Sequence, residues 1–255
     1  MKNDLAKKGS FLFTAYAVVI FLLTCVIVIP TLMVLSQRVS WHRIALRLHP
    51  YWAKTFFALT FIKVETPGRE YLKRDQQYIF CSNHFSYLDI PAFYLLYYGK
   101  FIGKSSITKV PLFGYYFRKM HIPVDRSRTR SRAESVQKSK MELDQGFNLI
   151  FFPEGGIVVK YEDQPYMARF KDGAFRLAVE KNIPIVPVVM VNNFLLLPDK
   201  SPVRFHRTTC KIIALPPIWP EGNSSDEVKR LRDKTFQLIQ EELLKHHPDK
   251  VRTLG

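Results

Sequence analysis

His84 and Asp89 lie five residues apart in Ser82-Asn83-His84-Phe85-Ser86-Tyr87-Leu88-Asp89, and their types fit acid–base chemistry. A histidine titrates near neutrality, and a nearby carboxylate fixes its tautomer and strengthens it as a base. Residues five apart on a regular helix point roughly 140° away from each other, so the pair cannot meet within one helix. The expected geometry is a strand ending near Cys81, His84 on the turn, and Asp89 at the opening of the next helix, folded back onto the imidazole. That is the strand-end position where α/β folds collect active-site residues. The plain alternative is a loop histidine followed by an acid that the helix dipole favours.

A second carboxylate sits in Asn148-Leu149-Ile150-Phe151-Phe152-Pro153-Glu154-Gly155-Gly156, a buried-type strand that stops abruptly. A proline, an acid and two glycines in sequence let backbone approach a ligand closely while presenting one carboxylate. The alternative is a tight turn with Glu154 in solvent. Arg126 ends the extended segment Ile122-Pro123-Val124-Asp125-Arg126, where a charge is delivered to a sheet edge. Arg128, Arg130 and Arg132 alternate with Ser and Thr and read as surface or membrane-facing. Cys81 is near enough in sequence to act as a nucleophile, but its apolar strand favours burial. Cys25, Cys81 and Cys210 have no CxxC spacing and read as free buried thiols in a reducing compartment. No glycine-rich nucleotide loop and no cluster of His, Cys or carboxylate ligands is evident, so neither a nucleotide fold nor a metal is expected.

These residues need a scaffold, and a soluble α/β domain fits the composition from about Glu65 onward. Strands are expected at Tyr78-Ile79-Phe80-Cys81, Phe101-Ile102-Gly103 (delivering Lys104), Ile122 to Arg126, Asn148 to Phe152, Ile183 to Val191 and within Val203 to Leu215. Pro184 and Pro187 argue for irregular pairing or an edge position in the fifth of these. Helices are expected from Tyr87 to Leu96 or Tyr98, over Leu112 to Phe117, from Arg132 to Gln145 behind a Ser131–Glu134 capping box, from Phe170 to Lys181, and from Ser224 to His246 behind a Ser224–Glu227 box. The fold class is α/β, a mixed sheet flanked by helices.

The formal net charge of +16, from 38 Lys and Arg against 22 Asp and Glu, favours an anionic partner: nucleic acid, an anionic membrane surface or a phosphorylated substrate. The N-terminus removes much of that ambiguity. Phe11 to Leu35 carries no charged residue, and about 25 residues at ~1.5 Å each exceed a ~30 Å hydrocarbon core. The run is too long for a signal-peptide core. Lys2, Lys7 and Lys8 precede it and Arg38, Arg43, Arg47 and Lys54 follow it, which pulls both ends toward one membrane face. Trp41 to Ile62 mixes aromatic and basic residues and suits an interfacial helix broken near Pro50. For Trp52, Phe56 and Phe57, packing on the soluble domain is the alternative. Two N-terminal helices embedded from the cytoplasmic side are expected, with a single full span as the other arrangement. This divides the chain into an anchor, 1–62, and a domain, 63–255.

Asn83-His84 with Asp89 resembles the NHx4D box of the glycerophospholipid acyltransferases. Phe152-Pro153-Glu154-Gly155 resembles their FPEG box, Val124-Asp125-Arg126 the segment ending in a phosphate-binding arginine, and Ile185-Val186-Pro187-Val188 their proline-containing fourth block. Order and spacing agree over residues 65 to 220. Length, charge and the apolar N-terminus resemble the 1-acyl-sn-glycerol-3-phosphate acyltransferases most. One departure stands out: Gly156-Ile157 replaces the family's usual Thr followed by Arg or Ser, which bears on the assignment of the acceptor.

The resemblance implies transfer of a fatty acyl group from acyl-CoA or acyl-carrier protein to 1-acyl-sn-glycerol 3-phosphate, giving phosphatidic acid. His84 oriented by Asp89 would be the base. Arg126 would hold the acceptor's phosphate, with Lys104 and Lys171 as supplementary charges and Glu154 and Gly155 holding the glycerol or phosphate end. No cofactor beyond the acyl-donor substrate and no nucleic-acid partner is implied; membrane lipid, anionic membrane surface and acyl-carrier protein are. The implied location is a bacterial inner membrane, with the site facing the cytoplasm. Other classes remain: an acyltransferase for glycerol 3-phosphate or another lyso-lipid, a membrane-bound lipid hydrolase or thioesterase, though no GxSxG elbow is present, and a non-catalytic lipid-binding scaffold.

Overall fold

A computed structural model describes residues 11–200 and 202–248; Lys2, Lys7 and Lys8 lie outside them. Two helices lead, α1 (Phe11–Leu35) and α2 (His42–Leu59). A short β1 (Val64–Glu65) follows, and then β2 (Ile79–Ser82), α3 (Asp89–Leu96), β3 (Lys100–Lys104), α4 (Phe113–Met120) and β4 (Ile122–Val124). The remainder is α5 (Thr129–Asp144), β5 (Leu149–Phe151), α6 (Gly173–Lys181), β6 (Ile185–Met190), α7 (Asn193–Leu196), β7 (Cys210–Ala214) and α8 (Ser225–His246). The strands form one sheet of order β1-β7-β6-β2-β5-β3-β4. Neighbours are parallel except for the antiparallel pair β6–β7, so the expected mixed sheet is what forms.

Alternation along β2 shows how the layers are made. Phe80 packs with Phe57 of α2 and Phe93 of α3, while Ile79 and Cys81 join Phe175 of α6 and Leu231 and Ile239 of α8. Burial on both faces explains why β2 reads as a continuous apolar run. The five mutually parallel strands deliver their C-terminal ends to one edge. There the chain leaves β2 toward β3 on one side, while β6 lies on the other. Such a reversal opens a crevice beside β2.

The N-terminal helices differ in part from expectation. α1 runs unbroken through Pro30, is mostly exposed, and is long and apolar enough to cross a membrane. α2 also runs unbroken through Pro50, and it buries His42, Ala45, Leu46, His49, Ala53, Phe56 and Phe57. Its apolar face is therefore occupied by protein, against α3 and α1, and the packing alternative holds for Phe56 and Phe57. Trp52 is half-buried and donates to Thr24 Oγ1 of α1 at 3.2 Å. Phe13, Ala17, Ala53 and Phe56 share a core with Phe80 and Phe93, so the helix pair is continuous with the sheet layer. Lys100 of β3 adds a polar tie. Its buried ammonium lies 2.5 Å from Glu142 of α5 and 3.2 Å from His42 Nδ1 of α2, a pair whose disruption would strand a charge in the interior.

Four local expectations change in whole or in part. The Ser131–Glu134 box does not form: Arg128 is the N-cap, Ser131 Oγ accepts from Asp125 N at 3.0 Å, and Glu134 pairs with Arg130. Ser131 is thus spent on holding the turn that carries Arg126. The second box is half made, because Ser224 Oγ accepts from Glu227 N while the Glu227 carboxylate accepts from Glu221 N. β6 is central, not an edge, although its pairing is irregular. The register to β7 shifts by one residue between Ile185↔Ile218 and Val188↔Ala214, and Pro187 lies within that shift, where a missing N–H costs least. Cys81 and Cys210 are buried free thiols, whereas Cys25 is only half-buried.

Candidate active site

β2 ends at Ser82, and the turn beyond it is fixed from two sides. Asn83 lies fully buried beside β6, where its amide accepts from Met190 N at 2.8 Å and donates to Met190 O at 3.1 Å. It therefore stands in for one more rung of the sheet and points the chain out of it. Asp89, the first residue of α3, is fully buried and gathers the turn from the other side. One of its oxygens, Oδ2, accepts from Phe85 N at 2.8 Å, from Ser86 N at 2.9 Å and from His84 Nδ1 at 2.9 Å. The other, Oδ1, accepts from Asn193 Nδ2 at 2.8 Å. Four donors around one buried carboxylate satisfy both of its oxygens and fix it in place.

With Nδ1 engaged by Asp89, Nε2 is the ring nitrogen left to take up a proton from a substrate. The His84 ring is stacked on Phe152, with centroids 4.0 Å apart and planes 17° apart, and 12% of the side chain is exposed. A base held by a carboxylate on one nitrogen and by an aromatic face beneath it retains little rotational freedom.

Glu154 joins this turn to the one after β5. Its Oε1 accepts from His84 N at 2.8 Å and its Oε2 from Ala168 N at 2.8 Å. It is buried, contrary to the alternative that placed it in solvent. Burial pushes its pKa up to about 8 from 4.5, with the two N–H donors pulling the other way. The sign follows from proton uptake. Between about pH 5 and pH 8 the folded state holds a proton here that the unfolded state releases, so stability falls as pH rises through that window. Glu154→Gln is expected to flatten this slope in melting curves taken from pH 5 to 9. A slope equal to wild type would contradict it.

The residue after Glu154 meets the basic groups. Gly155 has φ +98°, and a Cβ there would lie 2.6 Å from Lys171 Nζ and 3.1 Å from an Arg126 guanidinium nitrogen. The glycine is thus required both by its backbone conformation and by two cations crossing its open face. Arg126 follows β4, is half-buried, and has its pKa lowered by that burial. Lys171 is exposed and anchored by its own N–H to Pro153 O at 3.0 Å. Among the described residues neither cation has an acidic partner, and two unneutralised cations converging over exposed backbone make an anion-binding corner.

Of the seven residues expected at the site, His84, Asp89, Glu154, Gly155, Arg126 and Lys171 form one connected group. Lys104 is on the same edge, paired in register with Val124 two residues before Arg126, but it is exposed and, among the described residues, joined by no hydrogen bond or ion pair to the others. Cys81 faces the α6–α8 layer, and burial raises its pKa far above the usual thiol range, which removes it as a nucleophile. Sequence reading missed Asn193. It reaches Asp89 across 104 positions and accepts from Cys210 Sγ at 3.3 Å through its own oxygen. Nothing local in Val191-Asn192-Asn193 signals that role. Among the described residues no group of His, Cys, Asp and Glu is disposed to hold a metal.

A family model described as Acyltransferase matches residues 63–191, just over half of the chain. The chain is 31% identical over 247 residues to a 1-acyl-sn-glycerol-3-phosphate acyltransferase of Chlamydomonas reinhardtii, covering 94% of this chain and 72% of that protein. It is 30% identical over 183 residues to the human 1-acyl-sn-glycerol-3-phosphate acyltransferase alpha, covering 68% and 61%. A chloroplastic relative in Brassica napus is 29% identical over 188 residues, and the chain spans 52% of its length. The crystal structure of the 1-acyl-sn-glycerophosphate acyltransferase of Thermotoga maritima has the same fold, with a TM-score of 0.75 at 23% identity over 96% of this chain and 97% of that one. By this family model and the coverage of its algal relative, and with an apolar helix that associates it with membrane, the chain belongs to the 1-acyl-sn-glycerol-3-phosphate acyltransferase family of enzymes.

Proposed function

We propose that the chain transfers a fatty acyl group from a thioester donor, acyl-CoA or acyl-carrier protein, to the free hydroxyl of 1-acyl-sn-glycerol 3-phosphate, making phosphatidic acid. His84 Nε2 takes the hydroxyl proton as the oxygen attacks the thioester carbonyl, and Asp89 stabilises the imidazolium that forms. Collapse of the tetrahedral intermediate breaks the C–S bond, and His84 returns the proton to the departing thiolate. Arg126 and Lys171 hold the acceptor's phosphate, with the open backbone at Gly155 allowing its approach.

The observation that carries this reading is the double role of one turn: Glu154 fixes the base while Gly155, the next residue, meets both cations. It sets the base and the anion corner in a defined relation, as transfer to a phosphorylated alcohol requires. Family membership supports the same chemistry. The lipid acceptor accounts for α1, which would keep the site at headgroup height on the cytoplasmic side of a bacterial inner membrane. The basic surface would serve both the anionic lipid and an acidic or polyphosphate donor.

A panel of acceptors with the purified protein tests the substrate. With acyl-CoA or acyl-carrier protein as donor, 1-acyl-sn-glycerol 3-phosphate is expected to be acylated at least tenfold more efficiently than glycerol 3-phosphate or lysophosphatidylcholine. Preference for either of the latter would sink the assignment.

A further inference from the structure

We propose that the loop from Ser105 to Leu112 is a second bilayer contact, distinct from α1, which seats the rim of the active site on an anionic lipid surface. The inference rests on the membrane reading above. The loop leaves the C-terminal end of β3 directly after Lys104, on the sheet edge that carries His84 and Arg126, and it returns through α4 to β4, the strand leading to Arg126.

The loop displays apolar side chains where a soluble surface would hide them. Val110 is 50% exposed and Leu112 is 63% exposed. Leu112 also has φ +60° and ψ −58°, a strained conformation that L-residues rarely adopt. Glycine would relieve that strain. A leucine held there at a cost, and aimed at solvent, serves something other than folding of the chain alone.

The presentation is rigid. Thr108 O accepts from an Arg118 guanidinium nitrogen at 2.9 Å, Thr108 Oγ1 donates to Ser105 O at 2.7 Å, and Gly114 N donates to Val110 O at 2.7 Å. A Cβ on Gly114 would lie 2.3 Å from Thr108 O, so the loop and α4 touch backbone to backbone. Charge selects the partner. From Ile90 to Val124 there is no Asp or Glu, whereas Lys104, Lys109, Arg118 and Lys119 are exposed around the loop. Such a basic, acid-free surface with apolar tips fits anionic headgroups over acyl chains. The surface is also continuous with the membrane helix. α4 packs on α1, and Tyr115 donates to Gln37, just past the end of α1, at 2.9 Å.

Depth-resolved fluorescence quenching tests this on the full chain. In a Cys25→Ser background the two remaining cysteines are buried, so Leu112→Cys and, as a control on the exposed face of α5, Val136→Cys can each be labelled with a polarity-sensitive dye. In vesicles of phosphatidylcholine and phosphatidylglycerol carrying a shallow nitroxide lipid, quenching is expected at position 112 and not at 136. Protein that floats with the vesicles but shows no quenching at 112 overturns the loop contact alone. Protein that does not float overturns the membrane reading with it, and a dye at 112 that is already shielded without vesicles points to a second copy and overturns the bilayer as occupant.

Leu112→Gly gives an independent measurement. It is expected to melt no lower than wild type, yet to raise KM severalfold for a long-chain lysophosphatidic acid in vesicles, with KM unchanged for a short-chain, dispersed one. Equal loss with both acceptors would mean that the loop supports the site itself and would overturn the proposal.

Discussion

His84→Ala is expected to lower the turnover number for acyl transfer by about 100-fold to 10,000-fold, with KM for the acceptor and the melting temperature close to wild type. The separation of effects follows from the hydrogen bonds. Asp89 would keep three of its four donors, from Phe85, Ser86 and Asn193, so the turn stays closed after the imidazole is removed. Phe152 would lose only a ring contact. Asp89→Asn behaves differently. An amide at this fully buried position sets an NH2 group against groups that themselves donate, and whichever way it turns, at least one donor loses its acceptor. Both activity and melting temperature are expected to fall. Turnover numbers with parallel melting curves check the pair, and a His84→Ala enzyme with undiminished turnover and an intact fold would remove the base from the mechanism.

Arg126→Ala is the second large effect, and it acts on binding. A charged hydrogen bond to phosphate is worth about 1.5–3 kcal/mol, so KM for lysophosphatidic acid should rise roughly 10-fold to 100-fold. Turnover at saturation should change less. Efficiency toward a lysolipid without a terminal phosphate should hardly move, so the variant loses selectivity more than chemistry. Arg126→Lys should recover only part of the loss, because a single ammonium cannot reproduce the planar two-point fork. Steady-state kinetics on the two acceptors decide it; an unchanged KM for lysophosphatidic acid in Arg126→Ala would place the phosphate elsewhere, with Lys104 the next candidate on the same edge.

Much of the site was legible because it is built from local grammar. A buried strand, an abrupt turn and a helix start are written in neighbouring residues, and they place His84 and Asp89 together as well as Glu154 and Gly155. The distant contacts were not. Asn193 completes the Asp89 cage from the far side of the sheet, and a single asparagine carries no mark of that. Periodicity also reports that a helix has an apolar face without saying what meets it. Phe56 and Phe57 of α2 suited a bilayer as well as they suit α3, and only the packed structure distinguishes the two. Proline rules left two readings for β6, irregular pairing or an edge position, and the structure takes the first: a one-residue shift of register lets Pro187 sit in the middle of the sheet. Ser131 had the right spacing for a helix cap and is used instead to fold the turn before it.

The fate of a labelled acyl group tests the central claim most directly. The reconstituted protein is mixed with labelled acyl-CoA, with and without lysophosphatidic acid, and the label is followed in phosphatidic acid, in free fatty acid and on the protein. Direct transfer through His84 predicts label in phosphatidic acid only when acceptor is present, none on the protein, and little free fatty acid. Label released as fatty acid at the same rate without acceptor, or retained on the protein, would contradict it.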